Sequence, residues 1–536
     1  MLQSVSVIEN SQKRSIDFID NHNFKIVVGC NSINSKCFEL ELVFQQPIIS
    51  FRNHDYNWVD SSIDRVANSY CSKVIKLQDG TLVQANINKG IWEINPKRNN
   101  VLLWKFNPEF SNSITQYTGI SNTKKLVSAT SNWSFQEQPA LLFSTVSAIE
   151  ASRSKIPFSA IVCFTDHCDY DTLENLKLQR QLFKETNLKV TKGFFLNHFS
   201  KRATNASVEK NATEIELWKK DGHELCYHSL SQSIKSDEES FLDFKNFQPP
   251  YTAVPVWIDH GFQPYNFSLY TNNGISNKEY ESNLLNKNIA VLWNYIDSGT
   301  ATLGVINQLN PNQFTLQNFA KAISDFSLKT RIILLFKNII FHYDNDEFRV
   351  RNYINCIEYI RAIIKNKNVK KIIPLFKNGF PILKVVLKVI FNWNTVKKKT
   401  YKVAKYTPVF FKHRIDNKEF TIFQTLEMVD LKKALAPENI DLLIKESGLF
   451  VAHTYFSVDM SHYLGKLFKQ ENIFDETVVA NFKNLGNKIQ ENSIWNPTLS
   501  ELINYWNEFE KIVFDVAANG TIFVKNTTSI TTRNLK

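Results

Sequence analysis

The chain has no uncharged apolar run approaching the roughly 20 residues that a helix needs to cross a bilayer, so a transmembrane protein is not expected. Its start lacks the basic-then-apolar order of an export signal, and a cytoplasmic location is expected. The seven cysteines (Cys30, Cys37, Cys71, Cys163, Cys168, Cys226 and Cys356) are odd in number, scattered and without a CxxC pair. That argues against both a disulfide framework and a thiolate zinc site. There is no long polar low-complexity tract to suggest disorder, and no recognition module to suggest a nucleic-acid partner.

What is present is a large folded chain. Its 536 residues, 43% hydrophobic and 13% aromatic, suffice for two or three domains. The positive charge is concentrated. Between Phe314 and Tyr406 there are 19 Lys and Arg against 5 Asp and Glu, a net +14, whereas the whole chain carries +11.

Residues 1–155 read as a mostly-β domain: short alternating runs such as Phe38–Phe44 are separated by Asn, Asp and Gly turns. After Pro157 buried-looking strands alternate with helical stretches, the rhythm of a parallel sheet or barrel. Seven strands are expected, at Ser159–Asp166, Val190–His198, Glu224–Ser229, Val254–His260, Ile289–Asp297, Phe420–Met428 and Leu449–Tyr455. The first five occupy 156–313 and the last two 418–470. The basic stretch 314–417 lies between them as a helical insertion, too long for a loop. Its apolar, lysine-studded segment Phe380–Phe391 and the following Lys397–Lys399 suit peripheral contact with an anionic membrane surface at its inner face, or an anionic ligand. A solvated basic face on a core-packed helix is the alternative. Residues 471–536 read as a helical tail packing on the barrel.

In parallel barrels reactive side chains collect at strand C-termini, where loops from several strands converge. Asp166 and His167, His198, His228, Asp259 and His260, Asp297 and His453 all fall at such ends. Five of the chain's 11 histidines are among them, a concentration that points to a metal or acid/base site.

Five stretches in order, Cys163–Asp171, Asp221–Gln232, Asp259–Asn266, Trp293–Asp297 and Leu449–His453, resemble the motifs of the polysaccharide deacetylases, the carbohydrate esterase family four type. Two positions depart from the family pattern: Gln232 stands where a second histidine is usual, and Gln263 lies in a loop that usually carries an arginine. The resemblance implies an α/β fold with a seven-stranded (β/α) barrel. It also implies Asp166 as general base, His453 as general acid, and a divalent ion, zinc by its donor set, held by His167, Asp169 and His228. His260, on the neighbouring strand, could supply the missing imidazole, and Asp171 could exchange roles with Asp169. His198, Tyr265, Trp293 and Asp297 are the candidate substrate contacts, with core packing the commoner fate of such aromatics. The function so implied is metal-dependent removal of acetyl groups from an N-acetylated sugar or polysaccharide precursor, acting on a carbon–nitrogen bond that is not a peptide bond. A non-catalytic sugar-binding protein of the same fold, working in surface polysaccharide biosynthesis, is the alternative.

Overall fold

The computed structural model describes all residues except Met1, 22–23, 31–32, 34, 119–122, 129–132, 134, 200–204, 232–233, 252, 262, 295–301 and 461–462. Before residue 150 the two-residue period of the sequence produces antiparallel strands. Along Phe38–Phe44, for example, Phe38, Leu40, Leu42 and Phe44 are all buried. Six strands form one sheet and seven another, and the two share a core that includes Leu40, Leu42 and Trp104 from the first and Ile75, Val83 and Leu141 from the second. The arrangement is a β-sandwich.

A third sheet follows. Nine of its ten strands among the described residues run in the order Phe410–Ile415, Lys418–Phe423, Val291–Trp293, Val256–Trp257, Glu224–Tyr227, Thr191–Phe194, Ala160–His167, Leu449–Thr454 and Leu426–Glu427, and the tenth, Ile494–Trp495, pairs with the start of Ala160–His167. Every neighbouring pair is parallel except the first. This corrects the expectation of a seven-stranded (β/α) barrel. The segment expected as one strand from Phe420 to Met428 is interrupted at Gln424 and Thr425, and its two pieces pair at opposite ends of the run. The interruption has a visible cause: the Gln424 backbone N–H donates to the Val409 carbonyl, its carbonyl accepts from Gln308 Nε2, and Thr425 Oγ1 accepts from Trp293 Nε1. An antiparallel strand, Phe410–Ile415, extends the sheet further. The result is a curled sheet of ten strands among the described residues, attached to a two-sheet sandwich.

Both faces of the curled sheet are packed. One face sets Val162 and Phe164 against Phe183 and, from the helix Glu476–Gln490, Phe482. The other gathers Ile161, Cys163, Val256 and Val451 with Leu499 and Leu502 of the helix Leu499–Glu510. Between the strands Val291–Trp293 and Phe410–Ile415 the chain builds helices, two of which, Glu347–Asn366 and Ile372–Phe391, pack through Val350, Cys356, Ile382 and Val386. No helix among the described residues is long and apolar enough to cross a membrane.

Three further histidines are buried as neutral rings. Burial lowers His54, His223 and His413 to about 4 each, from an ordinary value of 6.5. Because the folded form resists a proton that the unfolded chain accepts, their contribution to stability is intact above pH 6.5 and is lost as the pH falls from 6.5 towards 4. At pH 5 each should cost on the order of 2 kcal/mol. The Tm of the protein is therefore expected to drop by several degrees between pH 7.5 and pH 5 in a thermal melt. A melt unchanged over that interval would contradict the burial of these rings.

Candidate metal centre

Neighbouring residues of a strand point to opposite faces, and this decides which polar groups can meet. In Ala160–His167, Val162, Phe164 and Asp166 share one face, whereas Ile161, Cys163, Thr165 and His167 share the other. His167 ends its strand on the inner face. His228 follows Glu224–Tyr227, His260 lies three residues beyond Val256–Trp257, and His453 is the penultimate residue of Leu449–Thr454. The parallel register, with Thr165 beside His453 and Phe194 beside Tyr227, brings these strand ends together.

The meeting point is one atom. His228 Nε2 lies 2.8 Å from Asp169 Oδ2, 3.0 Å from His167 Nδ1 and 3.1 Å from His260 Nδ1. A ring nitrogen carries either one hydrogen or one lone pair, so it can serve one of these three neighbours and leaves the others facing unsatisfied atoms. Burial lowers His167 well below the usual histidine range, with His228 and His453 adding to the effect. His453 is lowered to about 3, first by burial and then by His228. The His167 and His453 rings are thus neutral, and ring nitrogens of His167, His228 and His260 converge with the Asp169 carboxylate oxygen.

A divalent cation resolves that crowding, because donors about 2.0–2.1 Å from a tetrahedral zinc lie about 3.3 Å apart. The donor atoms of His167, Asp169 and His228 all lie within 4.8 Å of one another, and this group can hold a metal ion. His260 Nδ1, also 3.5 Å from Asp169 Oδ1, offers a fourth donor. The other nitrogen of His167 fits the same assignment. With the Nδ1 lone pair turned to the group, Nε2 carries the hydrogen and donates to His453 Nδ1 at 3.1 Å, which in turn leaves the His453 hydrogen on Nε2. His228 Nδ1 is buried without a protein hydrogen-bond partner, so that ring is oriented by its contacts at Nε2 and by Phe195, whose ring centroid is 4.8 Å away.

Backbone features cluster beside the donors. Tyr170 and Ser229, each immediately after a donor residue, hold φ of 69° and 64°, a left-handed conformation that non-glycine residues rarely adopt. A Cβ on Gly193 would lie 3.1 Å from His228 Cβ and 3.0 Å from the Asp166 carbonyl oxygen. A side chain at this position would press on His228 and force a shift of a few tenths of an ångström or more.

Several expected site residues lie elsewhere. Asp166 is fully buried on the opposite face. It pairs with the Lys192 ammonium and accepts hydrogen bonds from Thr454 Oγ1 at 2.7 Å and the Phe456 backbone at 3.0 Å. Burial pushes its carboxyl up, to about 7, against the pull of Lys192. It cannot reach the imidazoles, and the expectation of Asp166 as general base is corrected on that ground. Asp171 is held 2.5 Å from the same lysine, which leaves Asp169 as the carboxylate of the group. Tyr265 is enclosed in the core, its ring stacked on Phe244 at 5.2 Å and its hydroxyl 2.9 Å from Ser229 Oγ, so it is no substrate contact. Trp293, also buried, stacks on the His453 ring at 4.5 Å and positions that histidine. His198 is half-buried on the loop after Thr191–Phe194, its backbone N–H donating to Glu209. Asp297 and Gln232 lie outside the described residues.

One residue went unremarked in the sequence. Lys192 sits in a fully buried strand, where a lone lysine signals a hidden carboxylate partner. Tyr455, expected to orient the His453 ring, is partly exposed and places its own ring 4.6 Å from that of His167 and 5.1 Å from that of His453. Two clefts of about 590 and 560 Å³ occur in the molecule, but none of His167, His228, His260 and His453 lines either; the chemistry of the donor group outweighs their size.

Two outcomes follow from this geometry. Gly193→Val should displace His228 and lower bound metal, read by elemental analysis, at least tenfold without unfolding the protein by circular dichroism. Lys192→Met should leave two buried carboxylates without a counter-ion and cost about 3–5 kcal/mol in urea denaturation; a loss under about 1 kcal/mol would show that the charges are not buried together.

Neither a protein-family model nor a curated protein matches the sequence. Among solved structures, a xylosidase from Aspergillus niger is 11% identical with a TM-score of 0.17, over 53% of this chain and 40% of its own. A glycoside hydrolase family 31 dextranase from Flavobacterium johnsoniae, solved with isomaltotriose, is 8% identical with a TM-score of 0.23, over 99% of this chain and 73% of its own. The chain thus spans about 40% of the xylosidase's length. At these scores neither likeness carries an argument about fold or chemistry. The resemblance to polysaccharide deacetylases is corrected here: no family model matches, and the sheet departs from the seven-stranded barrel that the resemblance implied.

Proposed function

We propose that the chain is a metal-dependent hydrolase acting on an acyl group carried by a carbohydrate, with N-acetylated sugars the first substrates to test. The observation that carries this reading is the convergence of two imidazole nitrogens and one carboxylate oxygen on His228 Nε2. A bound divalent ion, zinc by the preference of a His/carboxylate set, would supply Lewis acidity towards a carbonyl or a water. The protein's own groups supply the rest. Asp169 offers a second carboxylate oxygen, Oδ1, as a proton acceptor beside the donor atoms. His453, stacked on Trp293 and accepting a hydrogen bond at Nδ1, presents a neutral Nε2–H that can donate a hydrogen bond to a carbonyl or leaving-group oxygen. Tyr455 provides a partly exposed ring suited to the apolar face of a sugar.

The purified protein is expected to contain about one divalent ion per chain, lost in an Asp169→Ala, His228→Ala double variant. Incubation with acetylated mono- and oligosaccharides should release acetate, and His228→Ala should reduce the rate at least 100-fold. A parent protein without metal would remove the reading. Reducing ends formed without acetate would transfer it to a glycosidic bond.

A second reading, a sugar-binding protein without turnover, draws on the sequestration of Asp166 by Lys192 and on Gln263, whose Oε1 is buried without a partner. Stoichiometric metal with saccharide binding but no product would favour it.

A further inference from the structure

The helix Ile372–Phe391 has two apolar faces where a surface helix needs one. Its inner face packs through Ile382, Val386 and Val389. On its outer side Ile373, Phe376, Phe380, Leu383, Leu387 and Ile390 recur at intervals of three and four residues, and all are exposed. Ile373 is 80% exposed, Phe376 74% and Phe380 70%. Single exposed apolar residues are ordinary, but a continuous stripe along 20 residues marks a contact surface.

Charge identifies what fits it. From Tyr359 to Thr400 the chain carries eleven Lys and Arg and no Asp or Glu. Lys377, Lys384 and Lys388 each follow a stripe residue directly and so border the stripe, one residue's rotation, about 100°, to one side. A second copy of this helix laid on the first would bring lysines together with no carboxylate from either helix to balance them. An anionic bilayer meets both demands, since the stripe can enter the boundary of the acyl chains while the lysine stems snorkel to the phosphates. Crossing is excluded for this helix, which is not apolar enough to span.

We propose that Ile372–Phe391 seats the protein flat on an anionic lipid surface. This is independent of the hydrolase reading, because its test reads vesicle binding and not turnover. The full-length protein should float with vesicles containing phosphatidylglycerol and remain largely unbound with phosphatidylcholine alone. The triple variant Lys377→Gln, Lys384→Gln, Lys388→Gln should weaken binding on the order of 100-fold, at about fivefold per lysine. The triple variant Ile373→Ser, Phe376→Ser, Phe380→Ser should abolish it with an unchanged circular dichroism spectrum, since these three side chains are the most exposed of the stripe. Absence of binding to phosphatidylglycerol vesicles would overturn the proposal, as would parent-like binding by both variants. A dimer in sedimentation velocity that the serine variant dissociates, with no vesicle binding, would assign the stripe to a second copy of the chain.

Discussion

A lysine with no access to water governs the geometry of the strand ends. Lys192 Nζ holds Asp166 and Asp171 and donates to the Gln179 side-chain Oε1 at 3.1 Å. Burial alone would lower this ammonium's pKa, but the two carboxylates outweigh it and keep the charge in place. Because Asp166 and Asp171 are anchored to one point, the four residues between them must loop across the strand end, and Asp169 is carried to the imidazoles on the other side. The left-handed turn at Tyr170 is the local cost of that loop. The buried ion pair therefore acts at a distance. It touches no donor atom, yet it fixes where the carboxylate of the donor group lies.

Much of this site was legible in the sequence. Histidines 167, 228, 260 and 453 each follow an apolar run closely, and strand ends are where parallel sheets display polar groups. Sequence alone also left Asp169 and Asp171 interchangeable, and Lys192 separates them. The assignment of Asp166 failed for a reason the sequence did contain: Asp166 and His167 are adjacent in one strand, and adjacent strand residues cannot serve one pocket. Its partner is 26 residues away, beyond the reach of any local pattern. The aromatic assignments failed differently, since burial of Tyr265 and Trp293 depends on neighbours such as Phe244 and His453 from other segments.

The fold was legible in its rhythm and less so in its closure. The mostly-β beginning and the parallel strands after Pro157 follow from hydrophobic period and turn residues. The break at Gln424 and Thr425 depends on side chains from Gln308 and Trp293, far along the chain, which redirect a backbone that locally reads as continuous strand. The same limit applies to Ile372–Phe391. Its spacing shows amphipathicity, but only the packed structure shows that the apolar residues outnumber the places where its neighbours can bury them.

The division of labour between the two faces of Ala160–His167 also guards the strand against mispairing. A slip of one position along its neighbours would press the Asp166 carboxylate among the imidazoles without its lysine and push a ring against a buried ammonium, errors that no repacking of Val162 or Phe164 could absorb. Opposed chemistries on alternate residues thus serve as a proofreading device for strand alignment, quite apart from anything the site binds.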